Sequence, residues 1–238
     1  MRLLLISSSN VHGYGFLDHA EESIRRFVGE KRRVVFAPFA GKDRDAYTSR
    51  VAERLGRMSL ETTQLRHGAN DLEGADVLFV GGGNTFRLLK ALYERELLEP
   101  IRRKVRSGTL LYIGSSAGTN IAAPTIKTTN DMPIVQPPSF DALGLVRFQI
   151  NPHYFDPDPN STHKGETREQ RIQEFHEENE TPVIGLREGS ALLVEDEAIT
   201  LLGEKTARLF RRGADAIELS AGAIVIPSRE NGAEPPSQ

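Results

Sequence analysis

The sequence predicts an α/β protein, a three-layer sandwich with a mostly parallel central sheet between helices and a β-rich C-terminal part. Short apolar segments rich in Val, Ile and Leu recur along the chain, as expected for strands that are buried on both faces. They lie at residues 2–6, 33–38, 76–80, 109–113, 145–150 and 183–186. Helical patterns separate the early segments, and this alternation favours a parallel sheet with helices on both sides.

The helical patterns have the three- and four-residue spacing of amphipathic helices. Their apolar positions are Ala20, Ile24 and Phe27 in the first helix and Tyr47, Val51 and Leu55 in the second. Past residue 190 the pattern changes to short strand-like pieces, SALLVED, AITLLGE, ARLFRR and AIELS, separated by polar turns. We expect these pieces to form a β-rich meander packed on the same core.

Length and composition predict one α/β domain over residues 1–227. A chain of 238 residues with 38% hydrophobic and 26% charged content is typical of globular proteins. Residues 228–238 contain Pro, Asn, Gly, Ser and Glu without an apolar face, which predicts a disordered polar tail.

Composition also narrows the chemistry and the partners. The chain has no Cys, which excludes thiolate nucleophiles, Cys-ligated zinc and iron–sulfur clusters. A net charge of −3 with interspersed signs argues against a nucleic-acid partner. The N-terminal apolar run is too short for a signal peptide, and no stretch approaches the ~18–20 apolar residues of a membrane helix. We therefore expect a cytoplasmic protein with no membrane partner.

The strongest functional signal is the turn GSSAG at residues 114–118. It follows the buried strand pattern at 109–113 and precedes a helix of small residues, TNIAA. A strand, a glycine-flanked turn and a helix form the context of a nucleophile elbow, and the G-x-S-x-G spacing selects Ser116 rather than Ser115. The competing interpretation is a tight turn whose serines only cap the helix.

A serine nucleophile requires a base, and histidine is the usual one. Of six histidines, His153 follows the apolar segment FQI in NPHYF, where the carboxyl end of a strand is expected. Open α/β sheets place their sites at that end. His19 and His176 lie in charged helical stretches and are expected to be solvated. We therefore select His153, with a packed structural histidine as the alternative.

Two carboxylates compete for the role of the group that orients the base. Glu188 follows the strand pattern VIGL, and Asp131 lies in TTNDMP. Glu188 gives the chain order Ser, His, Glu, whereas Asp131 gives Ser, Asp, His, the order of α/β-hydrolases. The residues alone leave both open.

A second glycine cluster, GGGNT at residues 81–85, follows the strand DVLFV and opens a helix. Its free N–H groups can hold an anion. It lacks the Lys and the spacing of nucleotide loops, so a phosphate site is the weaker interpretation. We expect the N–H of Gly82 or Gly83 to form an oxyanion hole with the N–H of Ala117.

Six motifs together make the chain resemble the peptidase E family of α-aspartyl dipeptidases, which are serine peptidases. They are, in order, GGGNTF, GSSAGTN, TTNDMPIV, NPHYFDP, HKGETREQRI and GLREG. The resemblance implies a fold related to class I glutamine amidotransferases and hydrolysis of dipeptides whose first residue is aspartate. It implies Ser116 as nucleophile, His153 as base and Glu188 as acid. Asp131 matches a position that is important for activity in the family.

Substrate recognition follows from that expectation. A guanidinium binds an aspartate side chain well because it can pair with both carboxylate oxygens. Arg168 is our first candidate for this contact, and Arg171 is the second. Both could instead be exposed residues at the start of a helix over 167–178. The free α-amino group of the substrate could contact Asp131 and Asn84. The expected partner is thus a small peptide with an N-terminal Asp.

Two other functions remain open at this point. One is a cyanophycinase-like peptidase that acts on β-linked aspartyl bonds, and the other is a non-catalytic small-molecule binding module on the same fold. No metal or organic cofactor is expected, because no His and carboxylate cluster has ligand spacing. The oligomeric state is left open, with a homodimer as one option.

Overall fold

A computed structural model describes residues 1–157, 160, 162 and 164–226. The predicted polar tail at 228–238 lies outside the described residues. Among the described residues, no helix combines the length and the apolar character needed to cross a bilayer.

The regular structure of the described residues comprises twelve strands, six α-helices and two short 3₁₀ helices at Asp18–Ala20 and Ala69–Leu72. The strands are β1 (Arg2–Ile6), β2 (Arg33–Ala37), β3 (Glu61–Gln64), β4 (Val77–Val80), β5 (Leu111–Ser115), β6 (Gln149–Tyr154), β7 (Val183–Arg187), β8 (Ser190–Glu195), β9 (Ala198–Gly203), β10 (Ala207–Arg211), β11 (Ala214–Leu219) and β12 (Gly222–Ile224). The helices are α1 (Glu21–Val28), α2 (Arg44–Gly56), α3 (Thr85–Glu94), α4 (Leu98–Arg106), α5 (Ala117–Asn120) and α6 (Arg168–Glu178).

The large sheet has eight strands in the order β12-β9-β8-β1-β5-β4-β2-β3. The five strands from β1 to β3 pair in parallel, and β8, β9 and β12 extend the sheet with antiparallel pairs. This confirms the predicted α/β fold with a mostly parallel central sheet. Because parallel strands share one direction, the carboxyl ends of β1, β4 and β5 meet at one edge, where ligand sites of open α/β sheets form.

Alternate residues of the central strands face two separate cores, as the period of a strand requires. On β1, Leu4 and Ile6 contact the residues of α1 and α2, whereas Leu3 and Leu5 face the side of α3 and α4. Both faces of the sheet are therefore covered, which explains why these strands consist of continuous apolar runs.

A second, smaller sheet lies beside the central one, and the sequence analysis does not predict it. It has the order β11-β10-β7-β6, with β6 and β7 parallel. The C-terminal meander therefore divides: β8 and β9 join the large sheet, and β10 and β11 join the small one. The strand predicted at 145–150 is displaced by four residues towards the C-terminus, since β6 spans Gln149–Tyr154. Ile150 of β6 and Ile184 of β7 pack into the core that contains α3 and α4.

Candidate active site

Ser116 occupies the sharp junction between β5 and α5. Its backbone has φ 54° and ψ −110°, a conformation that is strained for a residue with a side chain. The Ser116 N–H donates a hydrogen bond to the Ile6 carbonyl at 3.0 Å, which fixes the turn to the end of β1. Strain of this kind clusters at functional sites because the surroundings must impose it.

The two glycines of the GSSAG turn are required by close backbone contacts. A Cβ added to Gly114 would lie 2.5 Å from the Gly118 carbonyl oxygen. A Cβ added to Gly118 would overlap the carbonyl oxygen of Val80 on β4. Both contacts are with backbone that cannot rotate away. The G-x-S-x-G spacing therefore reflects helix α5 packed directly on the strands below it.

The side chains of Ser116, His153 and Glu188 form one hydrogen-bonded line. Ser116 Oγ lies 2.7 Å from His153 Nε2, and His153 Nδ1 lies 2.6 Å from Glu188 Oε1. The side chains of His153 and Glu188 are 37% and 48% exposed, so the line opens to solvent. A carboxylate on Nδ1 leaves Nε2 free to accept the serine proton, which is the arrangement of a catalytic triad.

Ser7 connects the two sheets at this point. It is fully buried just beyond the end of β1. Its hydroxyl donates to the Leu186 carbonyl at 2.7 Å and accepts from the His153 N–H at 3.0 Å. His153 has a positive φ of 56° at an irregularity in the pairing of β6 with β7. Ser7 thus holds the backbone of His153 beside the end of β1, the strand that pairs with β5 and so lies next to the nucleophile.

Asp131 lies apart from the Ser116–His153–Glu188 line. Its Oδ2 accepts hydrogen bonds from the Thr85 N–H at 2.7 Å, the Thr85 hydroxyl at 2.6 Å and the Thr129 hydroxyl at 3.2 Å. These contacts anchor it to the N-terminus of α3, where a negative charge is stabilised by the helix dipole. The carboxylate next to the His153 imidazole is Glu188, so the geometry favours the order Ser, His, Glu.

Each glycine of the cluster at 81–83 has its own close neighbour. An added Cβ would lie 2.7 Å from Phe36 Cζ at Gly81, 2.9 Å from Ser116 Cβ at Gly82 and 2.6 Å from the Ala40 carbonyl oxygen at Gly83. Gly83 also has φ 129°, which side chains rarely adopt. The loop consequently passes directly beside Ser116.

Two of the three predicted oxyanion donors have free N–H groups. Within the described part of the chain, the N–H groups of Gly83 and Ala117 donate to no other residue. Gly82 corrects the prediction, because its N–H donates to the Tyr47 hydroxyl at 2.9 Å. The geometry therefore favours Gly83 over Gly82 as the partner of Ala117.

Asn84 is engaged in structure rather than directed at a ligand, which corrects the expected substrate contact. Its side-chain oxygen accepts from the Arg87 N–H at 3.0 Å and caps α3. Its amide nitrogen donates to the Met132 carbonyl at 2.8 Å. Asn84 thereby holds the segment that follows Asp131 against α3.

Arg168 and Arg171 have different surroundings at the start of α6. The Arg168 guanidinium stacks 5.1 Å from the Phe155 ring, and no carboxylate of the described residues lies within ion-pair distance of it. Burial lowers the pKa of Arg168, Arg171 lowers it further, and the charge of Asp131 raises it. Arg171 is exposed and pairs with Glu166 at 3.4 Å. Of these two arginines, Arg168 is therefore the one without an anionic partner among the described residues.

Histidines outside the site include one clear correction. His176 was expected to be solvated, yet it is 7% exposed and lies 3.1 Å from the Thr181 carbonyl. Burial lowers its pKa. His19 is partly buried, and burial lowers its pKa as well. The charged neighbours of these histidines in the sequence made both positions resemble a solvent-exposed helix face.

The described residues contain no group of three or more His, Asp or Glu side chains placed to hold a metal ion. A cavity of about 1130 Å³ lies at the opposite end of the large sheet, near Met1 and Ile224. It shares no residue with the site at Ser116.

A family model for peptidase family S51 matches residues 3–202. The chain belongs to peptidase family S51. The matched range includes Ser116, His153 and Glu188, so this S51 chain is a peptidase whose family region contains the whole hydrogen-bonded line.

Relatives agree with this assignment over nearly the full length. Peptidase E of Streptomyces coelicolor is 54% identical over 226 residues, covering 94% of this chain and 93% of the relative. A "probable alpha-aspartyl dipeptidase" of Drosophila melanogaster is 47% identical over 224 residues, covering 92% and 93%. A solved structure of a peptidase from an acI-B1 Actinobacterium has a TM-score of 0.66 at 18% identity, covering 94% of this chain and 96% of that one. The last comparison supports the fold alone.

Several residues at this S51 site were missed by the sequence analysis. Ser7 had a visible signal, because a run of three serines directly follows a buried strand. The sequence signal of Tyr47 was misleading, since its four-residue spacing with Val51 and Leu55 predicts only a core position of α2 and no role at the site. Thr85 and Thr129 give no local signal, because they meet only when Asp131 brings two distant segments together.

Proposed function

We propose that this S51 peptidase is a serine dipeptidase that hydrolyses the bond after an N-terminal aspartate in Asp-X dipeptides. The observation that carries the proposal is the line from Ser116 Oγ through the His153 imidazole to Glu188, with both spacings below 3 Å. The name of the Drosophila relative, "probable alpha-aspartyl dipeptidase", supports the substrate class.

In the first step Ser116 Oγ attacks the carbonyl carbon of the aspartyl residue while His153 Nε2 takes the hydroxyl proton. The tetrahedral intermediate collapses when the imidazolium gives that proton to the departing amine. Residue X leaves as a free amino acid, and an aspartyl ester remains on Ser116. Glu188 keeps the imidazole in the required tautomer and stabilises its positive charge.

The negative oxygen of the intermediate is stabilised by the N–H groups of Gly83 and Ala117. Gly83 lies on the loop after β4, Ala117 begins α5 directly after Ser116, and both segments pack closely on neighbouring backbone. Fixed dipoles stabilise developing charge well because they need no reorganisation during the reaction.

Water completes the cycle. His153 removes a proton from a water molecule that attacks the ester. As the second tetrahedral intermediate collapses, the ester C–O bond breaks, the imidazolium returns that proton to Ser116 Oγ, and aspartate is released. The 37% exposure of the His153 side chain supports access of water to this position.

Selection of aspartate is assigned to Arg168. Its guanidinium is partly buried, stacked on Phe155 and without an ion pair among the described residues. A substrate carboxylate would supply the missing charge, whereas a neutral asparagine side chain would leave the guanidinium unpaired. Asp131 lies close enough for its charge to act on the pKa of Arg168, raising it, and is assigned to the α-amino group of the substrate.

Replacing Arg168 tests the selection of aspartate. We expect Arg168→Ala to reduce the preference for Asp-Leu over Asn-Leu by about 10- to 100-fold, since a hydrogen bond to a charged group is worth about 1.5–3 kcal/mol. Arg171→Ala is the matched control, because Arg171 already pairs with Glu166. The measurement is kcat/KM for both dipeptides. An unchanged ratio in Arg168→Ala would remove Arg168 from the pocket.

A panel of dipeptides tests the function as a whole. Asp-X, Asn-X, Glu-X and isoaspartyl-X substrates are assayed with the purified chain, with Ser116→Ala as the blank. The proposal predicts turnover of Asp-X, with no turnover of an N-acetylated Asp-X control. A preference for isoaspartyl-X would replace it with the β-aspartyl alternative, and no turnover of any dipeptide would leave no support for a dipeptidase.

The remaining assignments are also proposals. We infer a peptidase domain over residues 1–227 that works in the cytoplasm, supported by a composition without Cys. The homodimer option is tested by the mass in solution from light scattering.

A further inference from the structure

The Tyr47 hydroxyl lies between the two loops that flank Ser116. It accepts the Gly82 N–H at 2.9 Å, and the Ser9 hydroxyl also interacts with it. Ser9 Oγ in turn lies 2.6 Å from the hydroxyl of Ser115, the residue before the nucleophile. One phenol group therefore connects the glycine loop after β4 to the turn after β5.

The Tyr47 ring is held tightly in this position. A Cβ added to Gly81 would lie 2.7 Å from the Tyr47 hydroxyl, and one added to Gly41 would lie 3.0 Å from its ring. Phe36 packs edge-to-face against the ring with a centroid distance of 4.9 Å. These contacts leave the ring no room to turn away from Gly82.

We propose that Tyr47 is a positioning residue for the oxyanion hole, which fixes the separation and direction of the Gly83 and Ala117 N–H groups. The inference rests on the proposed serine peptidase function. Gly83 follows the peptide that Tyr47 holds through Gly82, and Ala117 follows the elbow that Tyr47 reaches through Ser9 and Ser115. Tyr47 contacts neither the nucleophile nor the oxyanion.

The physical reason is the mobility of glycine. Glycine has the greatest intrinsic backbone freedom of any residue, so three successive glycines at 81–83 depend on outside contacts to stay in place, and an oxyanion hole requires fixed donors. A hydrogen bond to Gly82 limits rotation of its peptide plane. Burial raises the pKa of Tyr47 above its ordinary value of 10.0, so the phenol stays neutral and keeps its proton at neutral pH.

The test compares Tyr47→Phe with Tyr93→Phe. Tyr47→Phe keeps the ring packing and removes only the hydroxyl. Tyr93→Phe is the matched control, because its hydroxyl donates at 2.9 Å to the Asp141 carbonyl outside the described site. In the free enzyme, we expect amide hydrogen exchange at Gly82 to accelerate about 10-fold or more in Tyr47→Phe and to remain unchanged in Tyr93→Phe.

The kinetic arm separates positioning from general structure. With Asp-Leu, Tyr47→Phe should lower kcat by about 10- to 100-fold at nearly constant KM, a part of the 10²–10³ lost when a donor is removed. A boronic acid analogue of aspartate, which forms a tetrahedral adduct with Ser116, should bind more weakly by a similar factor. Free aspartate, a product without that geometry, should bind as in the parent.

Ser9→Ala is a second variant that keeps the test valid if Tyr47→Phe does not fold. It removes the link to the elbow and leaves the Gly82 hydrogen bond, so a smaller fall in kcat supports the inference.

Unchanged Gly82 exchange, or faster exchange with unchanged kcat and boronate affinity, would overturn it. A parent enzyme without activity on Asp-Leu would refute the proposed function instead, and the exchange result would still decide whether Tyr47 holds the loop.

Discussion

The nucleophile and its base are positioned by different means in two different sheets. Ser116 lies on the parallel part of the large sheet, where backbone atoms approach so closely that only glycine fits at 114 and 118. His153 and Glu188 lie at the ends of β6 and β7 in the small sheet, where exposed side chains make the contacts. The first half of the site depends on backbone packing and the second on side-chain chemistry.

This difference predicts whether a substitution in each half of the site lowers the reaction rate or the stability of the fold. Changes of the exposed His153 and Glu188 side chains should reduce the rate and leave stability nearly intact. Changes that add a Cβ near Ser116 should reduce stability first. Ser7 connects the two halves. It directly follows β1 of the large sheet, and its hydroxyl bonds to the Leu186 carbonyl and the His153 N–H of the small sheet.

Within the small sheet, the largest effect is expected from Glu188→Gln. A neutral amide no longer stabilises the imidazolium and favours the wrong tautomer, so kcat on Asp-Leu should fall by about 10³–10⁴. The melting temperature should change little, since this Glu is 48% exposed. Glu195→Gln, which removes an exposed ion pair with Arg2, is the control. A Glu188→Gln enzyme with parental kcat would show that this carboxylate does not support the base.

The next effect is expected from Gly118→Ala in the large sheet. The new Cβ would overlap the Val80 carbonyl, and we expect a loss of about 3 kcal/mol or more in the free energy of unfolding. Gly56→Ala at the end of α2 is the control, because its added Cβ meets nothing within 4 Å. Urea unfolding measures both. If Gly118→Ala were as stable as Gly56→Ala, the elbow would not depend on backbone packing.

A smaller effect on the free energy of unfolding in acid distinguishes the large sheet from the small one. Asp76, just before β4, has its pKa lowered from 3.8 to about 2, chiefly by its hydrogen bond to the Arg33 guanidinium. A lowered pKa stabilises the fold above the unfolded value and loses that contribution as pH falls towards the folded value. Asp76→Asn should therefore be less stable than the parent by about 2 kcal/mol at pH 7, with the difference disappearing between about pH 4 and pH 2.

Asp156, which follows β6, provides the comparison in the small sheet. Its hydrogen bond to Arg187 also lowers its pKa, but its side chain is 49% exposed. Because solvent screens such a pair, Asp156→Asn should lose less than about 1 kcal/mol at pH 7. Thermal unfolding from pH 7 to pH 2 checks both variants. A pH-independent difference for Asp76→Asn would contradict its assigned ion pair.

The nucleophile half of the site could be predicted from the sequence because its signals are local. The buried strand, the GSSAG turn and the following helix are contiguous, so Ser116 was identified from one short segment. The same holds for the glycine loop, although the choice between Gly82 and Gly83 depended on Tyr47, which is distant in sequence.

The base half could be predicted only in part. His153 and Glu188 were identified from strand ends, but their contact requires β6 and β7 to pair in a separate sheet, which no local pattern indicates. The residues alone do not distinguish Asp131 from Glu188 as the acid, and only the family resemblance favours Glu188. It meets Thr85 and Thr129 through long-range packing that sequence periodicity does not record.

The most direct test of the account compares Ser116→Ala with Ser115→Ala. The two serines are neighbours, but the Ser116 hydroxyl contacts His153, whereas the Ser115 hydroxyl contacts Ser9. With Asp-Leu as substrate, the account predicts that Ser116→Ala lowers kcat by about 10⁴ or more and that Ser115→Ala retains activity within about 10-fold. Parental turnover by a folded Ser116→Ala enzyme would contradict it.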